Sequence, residues 1–248
     1  MPQACFRFYA ELNDFLLQER RQRTFAHVFE LSSSVKDMIE SLGVPHTEVD
    51  LILVNGESVD FSYLVQADDQ ISVYPVFEAI DITPVLRVRP EPLREPCFVL
   101  DVHLGQLAIY LRMLGFDTLY RNDYDDAELA QISSRGGRIL LTRDRGLLKR
   151  NIVTHGYCLR TTQPRQQLID VLRRFDLFGS ITPFTRCLHC NTVLQAVEKA
   201  ELSQRLSPKT LQVYNLFRRC PHCDRIYWQG SHFKHMQQFI DSVLHNHG

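Results

Sequence analysis

Four cysteines near the end of the chain stand as two equally spaced pairs, Cys187-Leu-His-Cys190 and Cys220-Pro-His-Cys223, with 29 residues between the pairs. Two such knuckles supply four thiolates, the donor set of a tetrahedral, closed zinc site. His189 and His222 lie inside the knuckles and read as turn residues rather than ligands. Upstream, carboxylates punctuate short apolar runs. Phe98-Val99-Leu100 ends at Asp101, Ile139-Leu140-Leu141-Thr142 reaches Arg143 and Asp144, and Asp126 and Glu128 stand between the two runs. Oxygen-only ligands suit Mg²⁺ or Mn²⁺, and a gathered set of carboxylates repels itself unless a cation neutralises it. A metal held there activates water and steadies the charge that develops during in-line attack on a phosphodiester. Arg112, Arg143, Arg145, Lys149 and Arg150 are the basic residues placed to hold a phosphate backbone.

The acids need a scaffold that brings them together, and residues 96–180 read as one. Strand Phe98–Leu100 is followed by Leu104, Leu107, Ala108, Leu111 and Leu114 on one helical face, closed by Gly115. A second strand, Phe116–Tyr120, precedes a polar loop and a helix carrying Leu129, Ala130 and Ile132 that ends at Gly136-Gly137. Ile139–Thr142 is a third strand, Tyr157–Arg160 a fourth, and Pro164 opens a helix with Leu168, Ile169, Val171 and Leu172. Strands separated by helices predict crossovers and a parallel sheet. In such sheets ligands collect at the carboxyl ends of the strands. Asp101, Asp126 and Asp144, with Glu128, are therefore expected to converge at that edge. Each has a plainer job open to it: Asp125 or Asp126 as a helix cap, Asp144 as a turn residue, Asp101 as a cap for the next helix.

Residues 1–83 carry 5 Lys/Arg against 14 Asp/Glu, residues 84–180 carry 15 against 11, and residues 181–248 carry 8 against 4. An acidic first third joined to two mildly basic segments implies separate modules, with a polyanion as the partner of the basic part. No apolar run is long enough for a membrane helix, and no basic-then-apolar leader opens the chain, so the expected location is the cytoplasm. Aromatic residues, 10% of the chain, are spread along its length and argue against disorder.

In the first module, strands around Cys5–Phe8 and Thr24–Phe29 come before a helix Val35–Leu42, capped from Ser32–Ser34 and stopped by Gly43. Strands at Val49–Val54 and Ile71–Val76 follow, with Asn55-Gly56 as a tight turn. This ββαββ order, with "LVNGE" and "DDQISVYPVF", resembles the ubiquitin-like β-grasp fold and especially its sulfur-carrier branch. The segment runs on through Pro84 with no Gly-Gly after its last strand, which removes carrier chemistry and leaves docking to a protein partner or scaffolding. Residues 84–95, with three prolines, read as a linker.

The stretches "FVLDVHLGQLAIYLRMLGFDTLY", "DDAELAQ" and "GRILLTRDRGLL" resemble the Mut-seven carboxy-terminal RNase family, a branch of the PIN-like nucleases. The resemblance, which includes the β-grasp start and the CxxC pairs, spans nearly the whole chain. It implies a metal-dependent ribonuclease acting on RNA, with Asp101, Asp126 and Asp144 as metal-binding acids and Glu128 beside them. PIN-like nucleases often carry a fourth acid after the last strand, where this chain reads Leu159-Arg160-Thr161-Thr162. One ion is then the expectation. The predicted architecture is α/β: a ubiquitin-like β-grasp domain (1–83), a linker (84–95), a PIN-like parallel-sheet RNase domain (96–180) and a zinc ribbon with a tail (181–248). The ribbon needs a helical insert between its knuckles, predicted at Ala196–Leu206. The competing expectation is an RNA-binding adaptor that keeps the PIN-like fold and zinc ribbon without catalysis. Oligomeric state has no signature in the sequence.

Overall fold

A computed structural model describes residues 1–29, 33–75, 87–88 and 96–245, without the side chains of 232 and 243–245. The linker expected at 84–95, except 87–88, lies outside the described residues, as do Ser32 and the Val76 end of the last ubiquitin-like strand.

The first module is a five-stranded mixed sheet. Its strands are β1 (Gln3–Phe8), β2 (Phe25–Val28), β3 (Leu51–Val54), β4 (Glu57–Ser58) and β5 (Gln70–Tyr74), in the order β2-β1-β5-β3-β4. The first and last strands pair in parallel at the centre, and every other pairing is antiparallel. This is the β-grasp arrangement. Alternating Ala4, Phe6 and Phe8 point into the core, where helix α1 (Val35–Ser41) contributes Val35, Met38 and Ile39. Ser34 caps α1 by accepting the Asp37 N–H. Asn55 and Gly56 both have positive φ, 53° and 91°, as a two-residue hairpin between twisted strands demands.

Downstream come β6 (Phe98–Leu100), α2 (Gly105–Met113), β7 (Thr118–Leu119), α3 (Asp126–Gly136), β8 (Ile139–Thr142), α4 (Arg145–Leu148), β9 (Gly156–Cys158) and α5 (Pro164–Arg174). Strands β6, β8 and β9 lie parallel and adjacent, in that order, and every residue in them is buried. That explains their unbroken apolar runs, since a parallel strand covered on both faces has no polar side to show. Helix α3 packs on β6 and β8, and α4 packs on β8 and β9.

The chain divides into two compact units, one of residues 1–101 and 123–160 and one of residues 102–122 and 161–248. The first holds the β-grasp sheet and the three parallel strands. The second holds α2 packed against α5, β7, and a three-stranded antiparallel sheet of β10 (Gln195–Ala196), β11 (Phe217–Arg219) and β12 (Ile226–Trp228). It also contains α6 (Pro208–Val213) and α7 (Ser231–His245). The helix predicted at Ala196–Leu206 is corrected here. That stretch is β10 followed by a 3-10 turn at Lys199–Leu202, and the helix begins only at Pro208, after Ser207 accepts the Thr210 N–H.

Candidate functional site

Strand β6 delivers Asp101 to the carboxyl edge of the parallel sheet. Its N–H donates to the Leu141 carbonyl at 3.1 Å, extending the ladder one residue beyond the strand. On β8 the last residue, Thr142, is fully buried. Its hydroxyl donates to Asp101 Oδ2 at 2.6 Å and accepts the Asp144 N–H at 2.9 Å. One hydroxyl therefore positions two acids that are 43 residues apart. Asp144 Oδ1 accepts the Gly146 N–H at 2.7 Å and caps α4.

Asp126 is the first residue of α3, but the cap is Asp125, whose Oδ1 accepts the Glu128 N–H at 2.7 Å. The Asp126 carboxylate is about half exposed and lies 3.8 Å from Arg150 Nη2. Glu128 is half-buried one turn into the helix. Asp101, Asp126 and Asp144 do not close into the three-carboxylate cluster expected from the strand ends. Among the described residues, the set of three or more ligating atoms lying within 4.8 Å of one another is a cysteine group. Each carboxylate has a partner of its own: Asp101 the Thr142 hydroxyl, Asp144 the Gly146 N–H and Asp126 the Arg150 guanidinium. What the fold does build is a two-acid unit, Asp101–Thr142–Asp144. Its donor chemistry fits a hard cation that keeps most of its water and takes one or two carboxylates.

The cysteines do converge. Cys187 Sγ lies 3.5 Å from Cys223 Sγ, and Cys190 Sγ lies 3.3 Å from Cys220 Sγ, with all four within 4.8 Å. A tetrahedral ion with roughly 2.3 Å bonds to sulfur fits such a cage. The two knuckles are built alike. Asn191 N–H donates to the Cys187 carbonyl and Asp224 N–H to the Cys220 carbonyl, and both donor residues have positive φ, 70° and 61°. Burial opposes the Cys190 thiolate, but hydrogen bonds from Thr192 and neighbouring thiols outweigh it and bring the thiol down to about 6. Burial, joined by the neighbouring thiols, pushes Cys223 up to about 12. Four thiolates coexist here once a cation neutralises them. Tyr227 backs the site: its hydroxyl lies 3.1 Å from Cys187 Sγ and accepts the Leu188 N–H.

Residues 96–240 match the family model of the Mut7-C RNAse domain, and residues 1–81 match that of the Mut7-C ubiquitin domain. The chain belongs to the Mut7-C RNAse family. No curated protein and no solved structure matches it. Its α/β architecture, with an N-terminal ubiquitin-like domain and a cysteine cluster that fits a zinc ribbon, is the one the sequence predicts. Among the described residues, no helix is long and apolar enough to cross a membrane.

Within the Mut7-C RNAse domain the five basic candidates part company. Arg112 is buried: its Nε donates to the Thr118 carbonyl and its Nη1 to the carbonyls of Leu188 and His189. The expectation that it holds phosphate is corrected to one of anchoring, since it ties the first knuckle to α2 and β7. Asn191 completes that anchor through Asp117 and the Thr118 N–H. Lys149 donates to the Glu40 carbonyl at the end of α1 and Arg145 to the Phe15 carbonyl, so both are engaged by the ubiquitin-like domain. Arg143 and Arg150 are exposed.

That engagement is extensive. His46 reaches the Val153 carbonyl at 2.8 Å, and Lys36 reaches Asn151. The fully buried Glu48 accepts the Cys158 N–H at the end of β9. Sequence reasoning missed Thr142 and Arg160. Both are polar residues at or just past a parallel strand's carboxyl end, the position that exposed Asp101.

Proposed function

We propose that this Mut7-C protein is a ribonuclease that hydrolyses RNA phosphodiester bonds at the Asp101–Thr142–Asp144 edge. The observation that supports this most is the Thr142 hydroxyl, which holds one acid's carboxylate and the other's main chain at the carboxyl ends of parallel strands, the place where α/β sheets keep their chemistry. Mg²⁺ or Mn²⁺, taken by Asp101 and Asp144, would supply water activation and charge neutralisation. The protein's own contribution is positional. Thr142 fixes the direction of Asp101, and the Gly146 N–H holds Asp144 by its Oδ1. Arg143 and Arg150 are the exposed cations placed to receive phosphate.

The cysteine cage is proposed to hold structural zinc, and the segments 1–83, 96–180 and 181–248 to act as three domains with cytoplasmic RNA as the target. Cleavage of a labelled RNA with added Mn²⁺ tests the reading: wild-type protein cuts and Asp101→Asn does not. Equal behaviour of the two removes the assignment. The sequence Leu159-Arg160-Thr161-Thr162, where PIN-like nucleases often carry a fourth acid, favours a second reading, an RNA-binding adaptor. It predicts RNA binding with no turnover that depends on a divalent ion.

A further inference from the structure

The ubiquitin-like domain and the sheet edge together line an open cavity of about 470 Å³, formed by Asp14, Arg143, Arg145, Cys158, Leu159 and Arg160. Three guanidinium groups and one carboxylate line it, although the chain from 1 to 83 is acidic overall. Arg145 and Arg160 each place their guanidinium carbon 4.9 Å from the centroid of the same ring, that of Phe15. Arg160 is held further by the Glu11 carbonyl and by Asp14, 3.3 Å from its Nε. The segment presenting Asp14 and Phe15 is itself fixed. The buried Asn13 amide donates to the carbonyls of Phe8 and Ala10, and its oxygen accepts the Gln22 N–H.

Asp14 balances one of the three guanidinium charges, and the like charges left in excess repel one another unless a further anion joins them. The Cys158 thiol does not serve as that anion, because burial, together with Glu48, pushes it up to about 11. The cavity also adjoins the acids. Arg143 is the residue before Asp144, and the Leu159 N–H donates to the carbonyl of Thr142.

We infer that this cavity holds a backbone phosphate of the RNA chain beside the acidic edge, so that the ubiquitin-like domain forms one wall of the substrate site and Arg160 is a binding residue. The inference rests on the ribonuclease reading for its ligand, but its test does not require cleavage. Full-length protein in an Asp101→Asn background is titrated into a fluorescent single-stranded RNA oligonucleotide and followed by anisotropy. Arg143→Ala and Arg160→Ala are each expected to weaken binding about tenfold and to reduce the slope of log affinity against log salt by about 0.7. Asp14→Asn is expected to tighten binding, because it removes a negative charge and releases Arg160.

If these groups only held the ubiquitin-like domain in place, Asp14→Asn would weaken binding just as Arg160→Ala does. That result overturns the inference, as does unchanged binding by the exposed Arg143→Ala variant. Inorganic phosphate is the competitor. If it displaces the oligonucleotide at an affinity equal to that of the RNA itself, the site is one for a free anion and the RNA assignment fails. Absence of cleavage by the wild-type protein would remove the catalytic reading and leave these binding results standing.

Discussion

Thr142 carries no charge, yet it decides how the acidic edge is built. Its hydroxyl is buried with both hydrogen-bonding roles filled. Thr142→Val is therefore expected to cost about 1–3 kcal/mol in urea unfolding and to lower RNA cleavage, by freeing Asp101 to turn away. Asp144 separates stability from chemistry. Asn caps a helix as well as Asp does, so Asp144→Asn is expected to hold unfolding stability within about 0.5 kcal/mol of wild type while cleavage is lost. A variant that cuts normally would reduce Asp144 to a cap. At this scale the sequence was partly legible. Asp101 and Asp144 could be placed because each follows an apolar run. The role of Arg112 could not, because an arginine between Leu111 and Met113 looks the same whether it meets water or three main-chain carbonyls. That difference is made by the Leu188–His189 turn, 76 residues away in the chain.

Among the elements, strand β8 was read to the residue and the helix stops at Gly115 and Gly137 were found, since positive φ at a helix end selects glycine. Gly115 also has a packing reason. With φ at 98°, a Cβ there would lie 2.3 Å from the Thr182 carbonyl oxygen. Gly115→Ala is expected to destabilise the protein by more than about 2 kcal/mol in chemical denaturation. The helix inside the ribbon begins later than the residue pattern predicts, at Pro208, where Ser207 supplies the cap and proline takes the first turn. Residues 196–206 are rich in helix-forming Ala, Glu, Lys, Leu, Gln and Arg, but Ala196 ends β10 and Lys199–Leu202 makes a 3-10 turn. The knuckles themselves need no tertiary information beyond their spacing. Chelation of the bound metal is expected to unfold the ribbon, with a change in emission from Trp228, the sole tryptophan, which lies on β12. Unchanged emission after complete metal removal would argue against a structural role.

On the scale of the molecule, the ubiquitin-like domain is bound to the parallel strands through buried polar contacts, an arrangement that charge and composition did not reveal. Glu48, His46 and the Glu40 carbonyl form hydrogen bonds with Cys158, Val153 and Lys149. Glu48→Ala leaves the Cys158 N–H without its carboxylate. It is expected to lower the stability of β1–β5 and of β6, β8 and β9 together, by about 1–3 kcal/mol, as seen in hydrogen exchange. Loss of protection confined to the ubiquitin-like strands would show that the two parts open separately.

The central claim is that Asp101 and Asp144 serve one hard cation, and Mn²⁺ binding followed by electron paramagnetic resonance tests it without relying on turnover. Full-length protein with its zinc retained is predicted to bind one Mn²⁺ per chain, and Asp101→Asn and Asp144→Asn are predicted to lose that ion while keeping their zinc. Wild-type protein that takes up no Mn²⁺, or variants that take up as much as wild type, would contradict the account.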